Sequence, residues 1–347
     1  MKQYTKEDLR EIKMLLNDYV VQNDFDFIYN NLHLIGYTCE AIRKISKPFA
    51  KSMNNSDIKY KNFPVYTGKF RLDIVRKYLK EHQIDLDVDD LFNRGIICCN
   101  CNTYPDEIAK ERIYKPYTGG RCQSYLDEHR VELLVPNTGY ISDSAVLVHE
   151  LSHYREEEYK NYTTASREIF TEALAYTEEF IFWKDNEKEF TEIECFIRNF
   201  LCGLTNLAIK MESIIAIIIV FVNTGDIDQE AYKLYFGTDE NYEEDFQELL
   251  DVINSGSFKL LENIRYVIAL ILFPYLYYSC LQDPNFMNKI QELHKLILNE
   301  NVLTCLDYIG INTISFEEID KISEFLKLLY SEHFTATITK EQTKTLD

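Results

Sequence analysis

Apolar residues along this chain recur mostly at helical spacing. Leu9, Ile12, Leu15, Leu16 and Tyr19 form one stripe, and Leu72, Ile74, Val75, Tyr78 and Leu79 form another. Positions three and four apart share a helix face, so each stripe predicts a helix with one buried side. The spacing changes between about Gly95 and Pro136. Val131, Leu133 and Val135 alternate there with other residues, which predicts a hairpin around Asp127-Glu128 with those three facing the core. Helical spacing then returns as far as Phe334. The expected fold is mainly α, with a small antiparallel hairpin or sheet. Residues 1–94 read as a helical lobe, 95–334 as a second region with the strands and remaining helices, and 335–347 as a polar tail that frays.

Two runs are apolar almost throughout: Ile214 to Val222, and Tyr266 to Leu281 with Pro274 inside. Both are shorter than the roughly 20 residues that cross a bilayer, so both are expected as buried helices. The acidic stretch Thr238 to Asp245 reads as a loop and helix start.

The chemistry of the chain concentrates in Val146-Leu147-Val148-His149-Glu150-Leu151-Ser152-His153. Ser142 and Asp143 are an N-cap signal, and Ala145, Val146, Leu147, Val148 and Leu151 supply the buried side of the helix that follows. Residues four apart on a helix stand one above the other, so His149 and His153 can reach one metal ion. In so apolar a stretch, two imidazoles and a carboxylate without partners would be costly, and a metal resolves the conflict. Glu150, beside it, has the position of a general base towards water, as in the H-E-x-x-H pattern of zinc hydrolases.

Catalytic zinc takes three protein ligands. The next helix, Arg167 to Phe180, contains no histidine. Glu172 is the best candidate, lying among Phe170, Ala173, Leu174 and Tyr176; Glu168, one turn earlier, could serve instead or could hold a ligand histidine through its second nitrogen. Glu178 and Glu179 read as a solvated face.

From about Ile113 to Trp183 the chain resembles the catalytic core of the thimet oligopeptidase and oligoendopeptidase F family of zinc peptidases. Ser142 to Tyr154 is similar to that family's acidic-capped zinc helix, and Ile169-Phe170-Thr171-Glu172-Ala173-Leu174-Ala175 to the helix bearing its ligand glutamate. Gly119-Gly120-Arg121-Cys122 and Arg130 to Asn137 are similar to the strand pair that precedes the zinc helix. The resemblance implies a zincin-like helical core over residues 95–334, with one Zn²⁺ per chain on His149, His153 and Glu172 and with Glu150 as the base. It also implies a peptide substrate that adds as a strand beside the hairpin, where Gly120 would permit close approach of its backbone.

The family's histidine- and tyrosine-rich stretch has a counterpart here only in Arg265 to Tyr278, which lacks histidine; Tyr266 is the best match to a family tyrosine that would donate to the developing oxyanion. Position 175, a small hydroxyl residue in many members, is alanine. Two readings follow. One is a zinc peptidase acting on oligopeptides. The other is a catalytically weak or inactive zincin-like protein that binds a peptide or protein partner. The missing histidine favours the second, and the intact Glu150 favours the first.

Composition adds limits. With 46% apolar and 14% aromatic residues, the 347-residue chain can bury a large core. A net charge of −20 argues against nucleic acid as partner. The first ten residues lack the apolar core of a secretory signal, and nine cysteines are an odd count, so a cytoplasmic protein with reduced thiols and no membrane partner is expected. Cys98, Cys99 and Cys101, with Cys122, have the wrong spacing for a zinc knuckle and are expected as buried thiols.

Overall fold

The first apolar stripe forms α1 (Lys6–Gln22) and the second forms α5 (Gly68–Glu81), with α2 (Asp26–Asn30), α3 (Leu32–Ser46) and α4 (Ala50–Asn54) between them. These belong to a computed structural model describing residues 5–22, 26–54, 63–98, 119–125, 130–158, 165–224, 263–312 and 315–335. The α5 helix starts where Thr67 accepts a hydrogen bond from the Phe70 backbone, and α6 (Val88–Asn93) where Asp87 accepts from Asp89 and Asp90. In each, a cap residue takes up N–H groups that the first turn cannot pair.

Three strands follow: β1 (Ile97–Cys98), β2 (Arg121–Tyr125) and β3 (Arg130–Leu134). The predicted hairpin pair is present, with Cys122 opposite Leu133 and Arg121 opposite Leu134 in antiparallel register. The sheet is nevertheless mixed, because β1 lies parallel on the other side of β3, in the order β1-β3-β2. A two-residue strand carries too little pattern to be read from sequence. Leu133 and Val135 are buried as expected and Val131 is half-buried. The hairpin turn at 127–128 and the acidic stretch at 238–245 lie outside the described residues.

The remaining helices are α7 (Ser142–Glu158), α8 (Ala165–Asn186), α9 (Ile193–Thr224), α10 (Ile264–Gln282), α11 (Phe286–Leu296), α12 (Val302–Tyr308) and α13 (Phe316–Tyr330). At the centre is α8, flanked by α7 and α10. Its apolar residues from Ile169 to Trp183 are all buried, so it has no solvent face over that length. A helix surrounded in this way must pair every polar group it carries.

The two apolar runs are helical, but the first is longer than predicted. Ile214 to Val222 is the second half of α9, whose 32 residues extend about 48 Å. By length and composition its span Ile193–Asn223 could cross a membrane, and 53% of its most apolar window is buried inside the protein against its neighbours. The sequence masks this length because Arg198 and the polar residues before Ile214 interrupt the run. Tyr266–Gln282 falls below membrane-spanning length.

Candidate metal centre

Residues ahead of α7 fix its start. Asp143, in the first turn, accepts hydrogen bonds from Thr138 Oγ1 at 2.7 Å and the Gly139 backbone at 2.9 Å and pairs with Arg71 of α5. The capping signal thus works backwards: Ser142 is already helical, and Asp143 ties the preceding turn to the helix. Burial pushes the Asp143 carboxyl up to about 6, although its hydrogen bonds and Arg71 oppose the rise.

His149, His153 and Glu172 come together as predicted. The two Nε2 atoms are 3.1 Å apart, and Glu172 Oε2 stands 3.5 Å from His149 Nε2 and 3.7 Å from His153 Nε2. Donors about 2.0–2.1 Å from a tetrahedral centre are separated from one another by about 3.3–3.4 Å, and the three edges here bracket that value. Among the described residues this is the one group of three or more ligand-type side chains so arranged.

Both rings are turned by their other nitrogen. His149 Nδ1 lies 3.1 Å from Glu179 Oε2, and His153 Nδ1 lies 3.0 Å from Thr171 Oγ1. Thr171 gives its own proton to Glu156 in a 2.5 Å hydrogen bond, so its oxygen accepts from His153. With hydrogen on both Nδ1 atoms, the two Nε2 lone pairs face each other at 3.1 Å. Such an arrangement calls for a cation between them, and the nitrogen–nitrogen–oxygen set suits zinc. Burial lowers the His149 pKa, but hydrogen bonds to Glu172 and Glu179 and the charge of Glu150 outweigh it and hold His149 well above its ordinary value.

The reading of Glu178 and Glu179 as a solvated face is overturned: they are 1% and 0% exposed. Glu179 is the partner of His149, and Glu178 pairs with Arg155. Burial alone would raise the Glu178 carboxyl, yet Arg155 and His294 bring it down to about 2. A further contact absent from the sequence reading is Tyr176, four positions after Glu172, whose ring centroid is 5.0 Å from that of His149.

Glu150 is 3% exposed, and its Oε2 accepts no hydrogen bond. Burial lifts its carboxyl to about 8, offset in part by His149 and by a hydrogen bond from the Cys122 backbone. Gly120 stands against this side chain. A Cβ there would lie 2.6 Å from Glu150 Cγ and 2.7 Å from Val146 Cγ1 and would collide with Glu150 Oε1. The missing side chain therefore makes room for Glu150 itself.

Tyr266 lies in the first turn of α10, half-buried, on the helix that packs along α8. The Glu168 side chain lies outside the described residues, as do Cys99 and Cys101. Cys98 and Cys122 are half-buried rather than buried, because they lie on the outer strands of a small sheet.

No family model and no curated protein matches the chain. Its backbone superposes on a chain assigned as an oligoendopeptidase F from Bacillus anthracis strain Ames, with a TM-score of 0.54 at 11% identity, covering 95% of this chain and 57% of that one. The chain shares its fold with part of that protein. PZ peptidase A, solved with an inhibitor, also aligns, with a TM-score of 0.49, 12% identity and coverage of 94% and 59%. The chain thus spans little more than half the length of these solved peptidases. The likeness in fold reaches nearly its whole length, far beyond the segment from 113 to 183 on which the sequence resemblance rests.

Proposed function

We propose that this protein is a zinc-dependent peptidase that hydrolyses oligopeptides. The observation that carries the reading is the pair of opposed Nε2 atoms, each set by a hydrogen bond at Nδ1, with the Glu172 carboxylate closing the triangle. Zinc bound there would acidify a water and polarise a carbonyl.

The chain's own residues supply the rest. Glu150, whose Oε2 has no other partner and whose carboxyl a neighbouring cation would bring back down from the value of about 8 that burial gives it, takes a proton from the attacking water and delivers it to the amide nitrogen as the C–N bond breaks. The Cys122 backbone and the space left by Gly120 hold that carboxylate in place. Among the described residues β2 is an edge strand, and its Cys122 N–H points to Glu150. A peptide adding to this edge would pass beside the base. Tyr266 is the donor proposed for the oxyanion.

A fluorogenic oligopeptide library, tested with and without chelator, checks the reading. Glu150→Gln should keep zinc while hydrolysis falls by about 10²–10⁴-fold, because the amide keeps the shape and cannot accept the proton. Zinc uptake without hydrolysis of any peptide would favour the non-catalytic, partner-binding reading.

A further inference from the structure

His294 belongs to α11 and is 3% exposed. A histidine so deeply buried needs polar partners, and those found for it come from α7 and α8. Its Nδ1 lies 3.1 Å from Glu156 Oε1; its Nε2 lies 3.0 Å from Arg155 Nη2, 3.3 Å from Glu178 Oε1 and 3.4 Å from Ser152 Oγ. Glu156 accepts from Thr171 through its other oxygen, and Thr171 in turn faces His153 Nδ1.

The directions of these bonds follow from what each group can do. A carboxylate only accepts, so both His294 Nδ1–H and the Thr171 hydroxyl donate to Glu156. The Thr171 oxygen is then left to accept from His153 Nδ1–H. What Glu179 does for His149 in one contact, a chain of three side chains does for His153, and the far end of that chain stands on a third helix. Without His294, Glu156 would be buried with one donor fewer, its Oε1 unpaired and only its Oε2 held, by Thr171 and, at 3.7 Å, Arg167, so its orientation towards Thr171 would be less fixed.

We propose that His294 is a positioning residue for the metal: through Glu156 and Thr171 it holds the His153 imidazole with hydrogen on Nδ1 and with Nε2 facing the ion. The inference rests on the zinc reading above and extends it to α11, which bears no ligand.

The test uses the full chain as wild type, Thr171→Val, His294→Gln and His294→Asn. The asparagine amide can place an N–H near the position of Nδ1, whereas the glutamine amide reaches towards Nε2. Each protein is loaded with zinc and stripped by a chelator, its cobalt-loaded form is examined by visible spectroscopy, and the metal-free forms are melted. Thr171→Val and His294→Gln should release zinc about 10–100-fold faster and shift the cobalt bands, the size expected for lost outer-sphere partners. Their double variant should be no faster than the worse single one, because both cut the same chain. His294→Asn should restore slow release.

A role confined to joining helices would lower the melting temperature of the metal-free variants and leave zinc release and cobalt spectra as in wild type; that result overturns the inference alone. Equal release from the Asn and Gln variants also overturns it. A wild-type chain that takes up no zinc overturns the metal reading and the inference together.

Discussion

Glu179 Oε2 lies 3.1 Å from His149 Nδ1, and Glu179 stands seven positions beyond Glu172 on α8. Seven residues fall only about 20° short of two full turns and rise about 10.5 Å, so both carboxylates look onto α7. His149 is thereby held at one nitrogen while the other faces Glu172. Glu179→Gln keeps a hydrogen-bond acceptor but loses the charge that makes the imidazole a better ligand. We expect zinc affinity to fall about 10–100-fold, read by competition with a chelating dye. Wild-type affinity in this variant would remove Glu179 from the centre.

Zinc must compete with protons for His149, because an imidazole binds the metal in its neutral form. Burial lowers the pKa of that group, but its hydrogen bonds to Glu172 and Glu179 and the nearby charges raise it well above its ordinary value. Zinc uptake should therefore release protons, and apparent affinity should fall as pH falls, by about tenfold per unit for each proton displaced. Calorimetry in two buffers of different ionisation enthalpy checks this. Binding heats independent of the buffer would show that no proton leaves.

Gly120→Ala places a methyl group where Glu150 now lies. The expected result is a large fall in kcat with zinc content near wild type, because the clash displaces the base and leaves His149, His153 and Glu172 untouched. Unchanged turnover in the alanine variant would mean that Glu150 can shift without loss.

Tyr266→Phe removes one hydroxyl from the first turn of α10. As an oxyanion donor, Tyr266 predicts that kcat and kcat/KM fall together by about 10–1000-fold with ground-state binding preserved. A purely packing role would change the melting temperature and leave activity per folded molecule near wild type.

Much of this centre was legible in the sequence. Spacing placed His149 and His153 on one face, and the apolar neighbours Phe170, Ala173, Leu174 and Tyr176 made Glu172 the best third candidate, with Glu168 as the alternative. The roles of Glu178 and Glu179 were not read, although the signal existed: apolar residues stand on every side of α8 from Ile169 to Trp183, and a helix without a polar face cannot have a solvated one. His294 left no comparable trace. Its place beside Glu156 depends on how α11 docks against α7 and α8, a contact between residues 138 positions apart that no local pattern encodes. The parallel pairing of β1 with β3 escaped because β1 is only two residues long.

Glu150, Glu156, Glu172, Glu178 and Glu179 are each 4% exposed or less, so five glutamates among the described residues are buried on two adjoining helices. Without an ion, the cationic partners of these carboxylates include Arg155 and Arg167. Zinc would then act as an internal counter-ion as well as a reagent, and the folded chain would bind it far better than the unfolded one. Each tenfold rise in free zinc above the dissociation constant would add about 1.4 kcal/mol to stability. The melting temperature would become a gauge of zinc supply, and how long the protein survives proteolysis would be set partly by its surroundings.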